Sequence, residues 1–74
     1  MYTIYTKTDC IQCKMTKQKM KALGIKFIEI NIEDNPNVVK RLKDKGIAAV
    51  PAIFKGTKYL FTGFRIDKIN ELKE

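Results

Sequence analysis

The order of strand-like and helix-like segments is the feature that most limits how this chain can fold. Tyr2–Thr6 is rich in β-branched and aromatic residues, which is typical of a strand. Residues 11–23 predict a helix, because four residues follow one another at spacings of three, four and three and would share one helix face: Cys13, Thr16, Met20 and Leu23. Gly24 then supplies a left-handed helix stop. In residues 26–32, Phe27 and Glu29 alternate with Ile28, Ile30 and Ile32, and this alternation predicts a second strand.

The second half of the chain predicts a helix, two strands and a last helix. Asn35 is expected to be the N-cap of a helix that has Pro36 at its first position and ends at Lys45, before Gly46. Residues 52–55 and 58–62 predict two strands joined by a tight turn at residues 55–57. Residues 65–74 predict the last helix. The side chains expected to face inward from these two helices are Val38, Val39 and Leu42, and Ile66, Ile69 and Leu72.

The resulting order, β-α-β-α-β-β-α, predicts an α/β fold in which a four-stranded mixed sheet is flanked by three helices. A helix joins the first two strands, so they should be parallel with a right-handed crossover, whereas the last two form an antiparallel hairpin. With 74 residues the chain forms at most one domain, residues 1–74. Such a chain buries only ~60–65% of its unfolded surface, so its core is thin.

Cys10 and Cys13 are the only cysteines, and their spacing indicates a chemical role rather than a disulfide that stabilises the fold. The loop that they would close is too short for cross-linking to gain much entropy. Two cysteines make a poor secreted framework, and the N-terminus has no apolar signal-peptide core. The longest apolar run, "IAAVPAIF", is too short to span a bilayer. We therefore expect a cytoplasmic protein without a membrane partner.

The chain is strongly basic, with 15 Lys and Arg against 8 Asp and Glu and a net charge of +7. The basic residues alternate with core positions on the predicted helices, and no nucleic-acid motif is present. A solvated surface explains this pattern better than nucleic-acid binding. A positive field would also speed encounter with an acidic protein partner.

The predicted elements place Cys10 where the first strand ends and the first helix begins. Unpaired N–H groups at a helix start favour a thiolate, and lowering a thiol pKa from ~8.5 to ~7 needs a bias of about 2 kcal/mol. Lys7 and Lys14 would act in the same direction if close, whereas Asp9 opposes them and is expected to point to solvent. Cys10 could then attack a substrate disulfide, and the more buried Cys13 would displace it.

Two alternatives compete with redox chemistry. The cysteines could be inert and buried, although the polar stretch before Cys10 argues for exposure. They could also bind a metal, but the chain has no His to complete a zinc site, which leaves a dimer-shared site or a two-coordinate Cu(I) ion. Small copper chaperones have the order β-α-β-β-α-β, which differs from the order predicted here.

Several motifs give the whole chain a resemblance to the thioredoxin superfamily in its short glutaredoxin form. They are a Cys-x-x-Cys at the first helix, "VP" before the third strand and a Gly after the fourth. "CIQC" (residues 10–13) and "FTGFRID" (residues 61–67) resemble the NrdH-redoxins, carriers that serve ribonucleotide reductase.

The resemblance implies roles for individual residues. Pro51 would be a cis-proline facing the cysteines, and the backbone of Val50 would pair with an extended client peptide; the alternative is an ordinary trans proline on an edge strand. Gly63 would allow close approach of the substrate. The residues that would contact the client are Ile11, Gln12, Val50, Pro51, Gly63 and Phe64. Lys7, Arg65 and Asp67 would support the site, the last two by tying the final helix to the active-site loop unless they form only a local charge pair.

The same resemblance implies a function. The chain would be a monomeric dithiol carrier with no bound cofactor or metal, and its client would be ribonucleotide reductase. Phe64 stands where glutathione-dependent glutaredoxins have a second Gly, so it would narrow the glutathione groove. Thioredoxin reductase, with NADPH upstream, would then be the electron donor. A glutathione-dependent glutaredoxin is the alternative in the same class.

Overall fold

The structure is a computed structural model that describes residues 1–73, and the elements follow the predicted order. The strands are β1 (Tyr2–Thr6), β2 (Phe27–Asn31), β3 (Ala52–Lys55) and β4 (Lys58–Thr62). The helices are α1 (Ile11–Ala22), α2 (Pro36–Asp44) and α3 (Ile66–Glu71). Within the described residues, no helix combines the length and the apolar character needed to cross a membrane.

The four strands form one mixed sheet in the order β2-β1-β3-β4. β1 is parallel to β2 and antiparallel to β3, and β3 is antiparallel to β4, as the sequence predicts. Tyr5, Ala52 and Thr62 lie side by side across β1, β3 and β4. The end of β1, the start of β3 and the end of β4 therefore meet at one end of the sheet, and the cysteine motif begins there.

Each face of the sheet has its own apolar cluster, which confirms that helices cover both faces. We call the first the α1/α3 cluster, because Met20 of α1 and Ile69 of α3 pack with Ile4 of β1 and Ile53 of β3. The second, the α2 cluster, has these buried members: Val38, Leu42, Ile47, Ala52 and Phe54. Neighbouring strand residues point to opposite faces, so Ile53 serves one cluster and Phe54 the other.

The structure corrects several predicted details. β2 ends at Asn31 rather than at residue 32, and a short 3-10 helix that was not predicted, Ile32–Asp34, follows it. α1 and α2 each end one residue earlier than predicted. α3 ends at Glu71, so the predicted helix to residue 74 is too long, and its last residue, Glu74, lies outside the described residues.

Two predicted side-chain roles in the helices are also wrong. Ile66 was expected to face inward but is 50% exposed, because it is the first residue of α3 and extends beyond the face that Ile69 and Leu72 bury. Asn35 does occupy the N-cap position of α2, but its side chain makes no capping bond. Its amide donates instead to the Asn31 backbone oxygen at 3.0 Å.

Candidate active site

Cys10 and Cys13 are joined by a disulfide at the start of α1. Cys10 is the N-cap residue, and its backbone is extended, as is common for the residue before a helix. The Cys10 sulfur accepts a hydrogen bond of 3.1 Å from the Cys13 backbone N–H. The sulfur thus takes the place of the oxygen of an ordinary N-cap and satisfies one of the unpaired donors of the helix.

The two cysteines differ in exposure. Cys10 is half-buried, whereas Cys13 is 2% exposed and lies on the inner face of α1 with Thr16 and Met20. The Thr16 hydroxyl donates to the Gln12 backbone oxygen at 2.8 Å, which fixes the first turn of the helix. The attacking thiol has to contact the client disulfide and must therefore be exposed, whereas the resolving thiol contacts only the first cysteine and can be buried. This difference in exposure fits the predicted order, in which Cys10 attacks the client and Cys13 then displaces it.

The remaining two residues of the motif lie at the surface. The Ile11 side chain is 70% exposed, and Gln12 is also exposed. The Gln12 side-chain oxygen approaches Gly63: a Cβ atom built on that glycine would lie 3.7 Å from it. Gln12 therefore joins the cysteine motif to the segment after β4.

Pro51 and Gly63 form a second part of the site, beside the end of β1. The Val50–Pro51 peptide bond is cis, as predicted, and Pro51 is buried. The Gly63 N–H donates to the Pro51 carbonyl oxygen at 2.8 Å. Gly63 has a φ of 84°, a conformation that glycine adopts at little cost and other residues do not. Gly63 thus connects Pro51 on one side with Gln12 on the other.

The loop before Cys10 is held by residues that sequence reasoning missed. The backbone N–H of Thr8 donates to the Glu33 carboxylate, and the Asn31 amide donates to the Thr8 hydroxyl at 3.3 Å. Asn31 also accepts from the Glu33 N–H at 2.9 Å, so it caps the short 3-10 helix. Asp9, next to Cys10, has a φ of 57° and is exposed, as predicted. The only sequence signal was an Asn two residues before Glu33, which is a common local turn.

The charge of Lys7 acts on the Glu33 carboxylate. Hydrogen bonding with Thr8 lowers the pKa of Glu33 most, and the nearby charge of Lys7 lowers it further. Lys7 therefore acts on this carboxylate as well as lining a groove beside Val50. Its predicted support of the Cys10 thiolate stays a prediction.

Sequence reasoning also missed a group of hydrogen-bonded side chains that joins α1 to the sheet. Thr6 is 1% exposed, and its hydroxyl donates to the Glu29 carboxylate at 2.8 Å. The Lys17 ammonium group, one turn beyond Cys13, donates to the same oxygen at 2.9 Å. This hydrogen bond from Lys17 is the main reason that the pKa of Glu29 is lowered; partial burial opposes it, and Thr6 adds to it. The signal in the sequence was Glu29 alternating with apolar residues of β2.

The segment after Gly63 differs from the prediction. Arg65 and Asp67 pair with each other at 3.4 Å, with side chains 53% and 66% exposed. Within residues 1–73 neither bonds to the active-site loop, so they are a local charge pair at the start of α3. Phe64 is half-buried against the α1/α3 cluster. Its effect on glutathione stays a prediction.

No cluster of three or more His, Cys, Asp or Glu side chains within residues 1–73 has the arrangement of a metal site. Cys10 and Cys13 are the residues that could ligate a soft ion, and two thiolates fill only half of a tetrahedral site. What the arrangement does offer is a partly exposed Cys10 at a helix start, joined through its sulfur to a buried Cys13.

Comparison with known proteins places the chain in a family. Residues 2–60 match the family model described as Glutaredoxin. The chain is 39% identical over 72 residues to the glutaredoxin-like protein NrdH of Lactococcus lactis, which covers 97% of this chain and 99% of that protein. The NrdH protein of Escherichia coli K12 is also 39% identical, over 70 residues that cover 95% of this chain and 85% of that protein.

A solved structure agrees with the sequence comparisons. The structure of the NrdH-redoxin from Escherichia coli matches this chain with a TM-score of 0.91 at 37% identity, covering 99% of this chain and 95% of that one. The redox-active cysteine pair and the fold are thus shared with these proteins. The chain belongs to the glutaredoxin family and, within it, to the NrdH-type glutaredoxin-like redox proteins.

Proposed function

We propose that this protein is a cytoplasmic, monomeric dithiol carrier that reduces a disulfide of ribonucleotide reductase and is itself reduced by thioredoxin reductase. The observation that carries the proposal is the pairing of a partly exposed Cys10, whose sulfur accepts a hydrogen bond from the Cys13 N–H at the start of α1, with a Cys13 that is 2% exposed. The carrier needs no bound cofactor, because its electrons come from NADPH through the reductase.

The exchange takes two steps. The reduced Cys10 thiolate attacks one sulfur of the client disulfide, forms a mixed disulfide and releases the other client sulfur as a thiolate. Cys13 then loses its proton and attacks the Cys10 sulfur, which releases the second client sulfur. Two electrons pass from the protein to the client, the Cys13 proton and one proton from the solvent end on the two client sulfurs, and the protein keeps a Cys10–Cys13 disulfide.

The second part of the site, around Pro51 and Gly63, positions the client in this scheme. An extended client segment pairs with the backbone of Val50, whose bond to Pro51 is cis. Gly63, Ile11 and Gln12 are at the rim of the same site, with Gln12 next to Gly63. The absence of a side chain on Gly63 leaves its backbone open to that segment.

Two facts support thioredoxin reductase over glutathione as the electron donor. The related NrdH-redoxin of Escherichia coli is described as having a thioredoxin-like activity profile. In this chain Phe64 adds a bulky ring directly after Gly63. The choice of ribonucleotide reductase as the client rests on the resemblance of "CIQC" and "FTGFRID" to the NrdH-redoxins, and the match to NrdH proteins supports it.

The test is a coupled assay of NADPH oxidation with a small disulfide as acceptor. We expect turnover with thioredoxin reductase and little with glutathione and its reductase. Turnover with glutathione alone would favour a glutathione-dependent glutaredoxin. No turnover with either donor, together with stoichiometric metal binding, would favour a metal-binding module.

Trapping identifies the roles of the two cysteines. Cys13→Ser should stop the exchange at the mixed disulfide, so that incubation with the oxidised C-terminal segment of a ribonucleotide reductase gives a covalent adduct on a non-reducing gel. The matched control is Cys10→Ser, which should give none. An adduct with the control and none with Cys13→Ser would reverse the two roles.

A further inference from the structure

One row of side chains crosses all four strands on the face of the sheet that carries α2. The strand pairings place Thr3 of β1 between Ile28 of β2 and Phe54 of β3, and they place Phe54 beside Tyr59 of β4. Directly paired residues point to the same face, and the ring centroids of Phe54 and Tyr59 lie 5.6 Å apart. We call these four residues the cross-sheet row.

α2 covers only part of this face. Its cluster fills the next row towards the active site, which consists of Ile30, Tyr5 and Ala52, and it also includes Phe54. The two ends of the cross-sheet row remain open, because Ile28 is 52% exposed and Tyr59 is 42% exposed. An apolar sheet face is normally buried against another layer of structure, so this part of the face is a surface that a partner can cover.

A small cavity joins the cross-sheet row to the end of α2. It has a volume of about 260 Å³, Phe54 forms part of its wall, and the β3–β4 turn closes one side of it. Arg41 and Lys45 also line it and are exposed, whereas no Asp or Glu among residues 1–73 lines it. Neither cation is held in a salt bridge within the described part of the chain. The surface thus combines exposed apolar side chains with two available positive charges.

We propose that the cross-sheet row and this cavity bind an acidic amphipathic helix of a partner protein. The face of a sheet offers side chains but no free backbone groups. An extended segment laid on it would leave its own N–H and C=O groups unpaired, whereas a helix pairs them internally. The apolar side of the helix packs on Ile28 and Tyr59 beside α2, and a carboxylate enters the cavity between Arg41 and Lys45. Each exposed ion pair contributes roughly two- to fivefold in affinity at low ionic strength.

The surface lies away from the cysteine pair, so the inference goes beyond the proposed function. Thr3 is three residues before the end of β1, which puts the cross-sheet row about 10 Å along the strands from the end that carries Cys10. The helix that begins after Cys10, α1, packs on the opposite face of the sheet. A partner bound to the row therefore leaves Cys10 free to exchange with a disulfide.

Charge and shape favour a protein helix over two other occupants. A second copy of this chain also has a net charge of +7 and would be repelled by Arg41 and Lys45. A single-stranded nucleic acid binds through stacked bases and a run of phosphates. The cross-sheet row offers one exposed aromatic ring, Tyr59, and the cavity offers two cations, which suits one carboxylate-bearing helix better than a strand of bases.

The test measures the binding of two designed peptides by fluorescence anisotropy at low salt. One is a helix of about 18 residues with Leu on one face and Glu on the other, and its counterpart has Lys in place of every Glu. We expect the acidic peptide to bind at least about tenfold more tightly than the basic one, because the basic peptide places like charges together. The affinity of the acidic peptide should fall at high salt.

Variants with matched controls test the named residues. Arg41→Gln should weaken binding of the acidic peptide roughly two- to fivefold, and Ile28→Ser combined with Tyr59→Ser should weaken it roughly five- to tenfold. Lys40→Gln, exposed on the same helix but outside the cavity, and Ile66→Ser, 50% exposed on α3, should each stay within about twofold. Circular dichroism checks that the double variant folds, and if it does not, Arg41→Gln carries the test.

Backbone amide shifts of the oxidised protein locate the bound peptide. We expect the acidic peptide to shift the amides of Thr3, Ile28, Phe54 and Tyr59, and not that of Gly63. Reduction of a small disulfide should keep its kcat/KM within about twofold when the peptide is bound. Binding at the row without any disulfide reduction would support this inference and overturn the proposed function.

The opposite results are equally distinct. Equal binding of the two peptides, equal losses in variants and controls, shifts around Gly63, or a large fall in kcat/KM on binding would each overturn the inference. The same shifts produced by an oligothymidine strand that binds as tightly would assign the surface to nucleic acid instead. The same shifts produced by concentrating the protein alone would assign it to a second copy of this chain.

Discussion

Substitution of Gly63 by Ala separates backbone strain from a role in the site. Gly63 has a φ of 84°, and Gly46, at the end of α2 and outside the active site, has a nearly equal φ of 79°. An alanine in this left-handed region costs about 1–2 kcal/mol. A Cβ at Gly46 would meet no atom within 4 Å, and one at Gly63 would meet only the Gln12 side-chain oxygen, at 3.7 Å. Steric clashes therefore add nothing, and the two substitutions should cost the same stability.

The stability cost is measured by thermal and urea unfolding of the two variants. For a domain of this size, 1–2 kcal/mol corresponds to a fall in Tm of roughly 4–16 °C. Both variants should fall by the same amount within about 0.5 kcal/mol. The m-value should not change, because the amount of buried surface stays the same.

The two variants should differ in activity. The methyl group of Gly63→Ala fills part of the gap between Gly63 and Gln12, where the client approaches. If the methyl group displaces the client segment enough to break one of its proposed backbone hydrogen bonds to Val50, the cost is about 0.5–1.5 kcal/mol, a two- to tenfold fall in kcat/KM. Gly46→Ala should keep its kcat/KM within twofold. If both variants lost stability equally and both kept full activity, Gly63 would have no part in client binding; if Gly63→Ala lost no stability, its left-handed conformation would be wrong.

Five further substitutions test the packing and electrostatics around the site. Thr6→Val keeps the shape of a side chain that is 1% exposed but removes its bond to Glu29, so we expect a loss of about 1 kcal/mol in urea unfolding; an unchanged midpoint would show that the bond contributes nothing. The pKa of Glu29 is lower in the folded protein than in the unfolded chain, so its contribution to stability is present above the unfolded value near 4.5 and is lost as the pH falls through the folded value. Glu29→Gln should therefore flatten the acid limb of the stability profile, and an identical limb would contradict this. Ile53→Ala, at a position that is 0% exposed, should cost about 2–5 kcal/mol, whereas Ile66→Ala, at a position that is 50% exposed, should stay within about 0.5 kcal/mol; similar losses would contradict the assigned facing of α3. Phe64→Gly should raise turnover with glutathione, and a flat response would remove the ring from any part in excluding it.

The parts of the site that could be predicted from the sequence depend on local chemistry. Cys10 could be placed at the start of α1 because a strand pattern ends and a helix pattern begins there. The roles of Pro51 and Gly63 came from the family resemblance, and their residue types fit them, because a cis bond is almost confined to proline and a φ of 84° is typical of glycine. In each case the constraint acts within two or three residues of the chain.

The parts that could not be predicted join residues far apart in sequence. Thr6 and Glu29 are 23 residues apart, and Thr8 and Glu33 are 25 apart. Their bonds depend on the register of β1 against β2, which pairs Thr6 with Asn31. Apolar alternation defines which face a strand residue points to, but a slip by two residues keeps that face, so it does not fix the register.

The topology of the sheet explains why one end of it carries the whole site. β1 and β2 are parallel, so both finish there, with Thr6 beside Asn31. β3 runs the other way and starts there, which brings in Pro51, and β4 returns and ends there, which brings in Gly63. Every strand therefore delivers one segment to the cysteine pair. A two-residue change of register in any one strand pairing would displace a part of the site while keeping the same faces of the strand buried, so we expect such variants to lose activity before they lose stability.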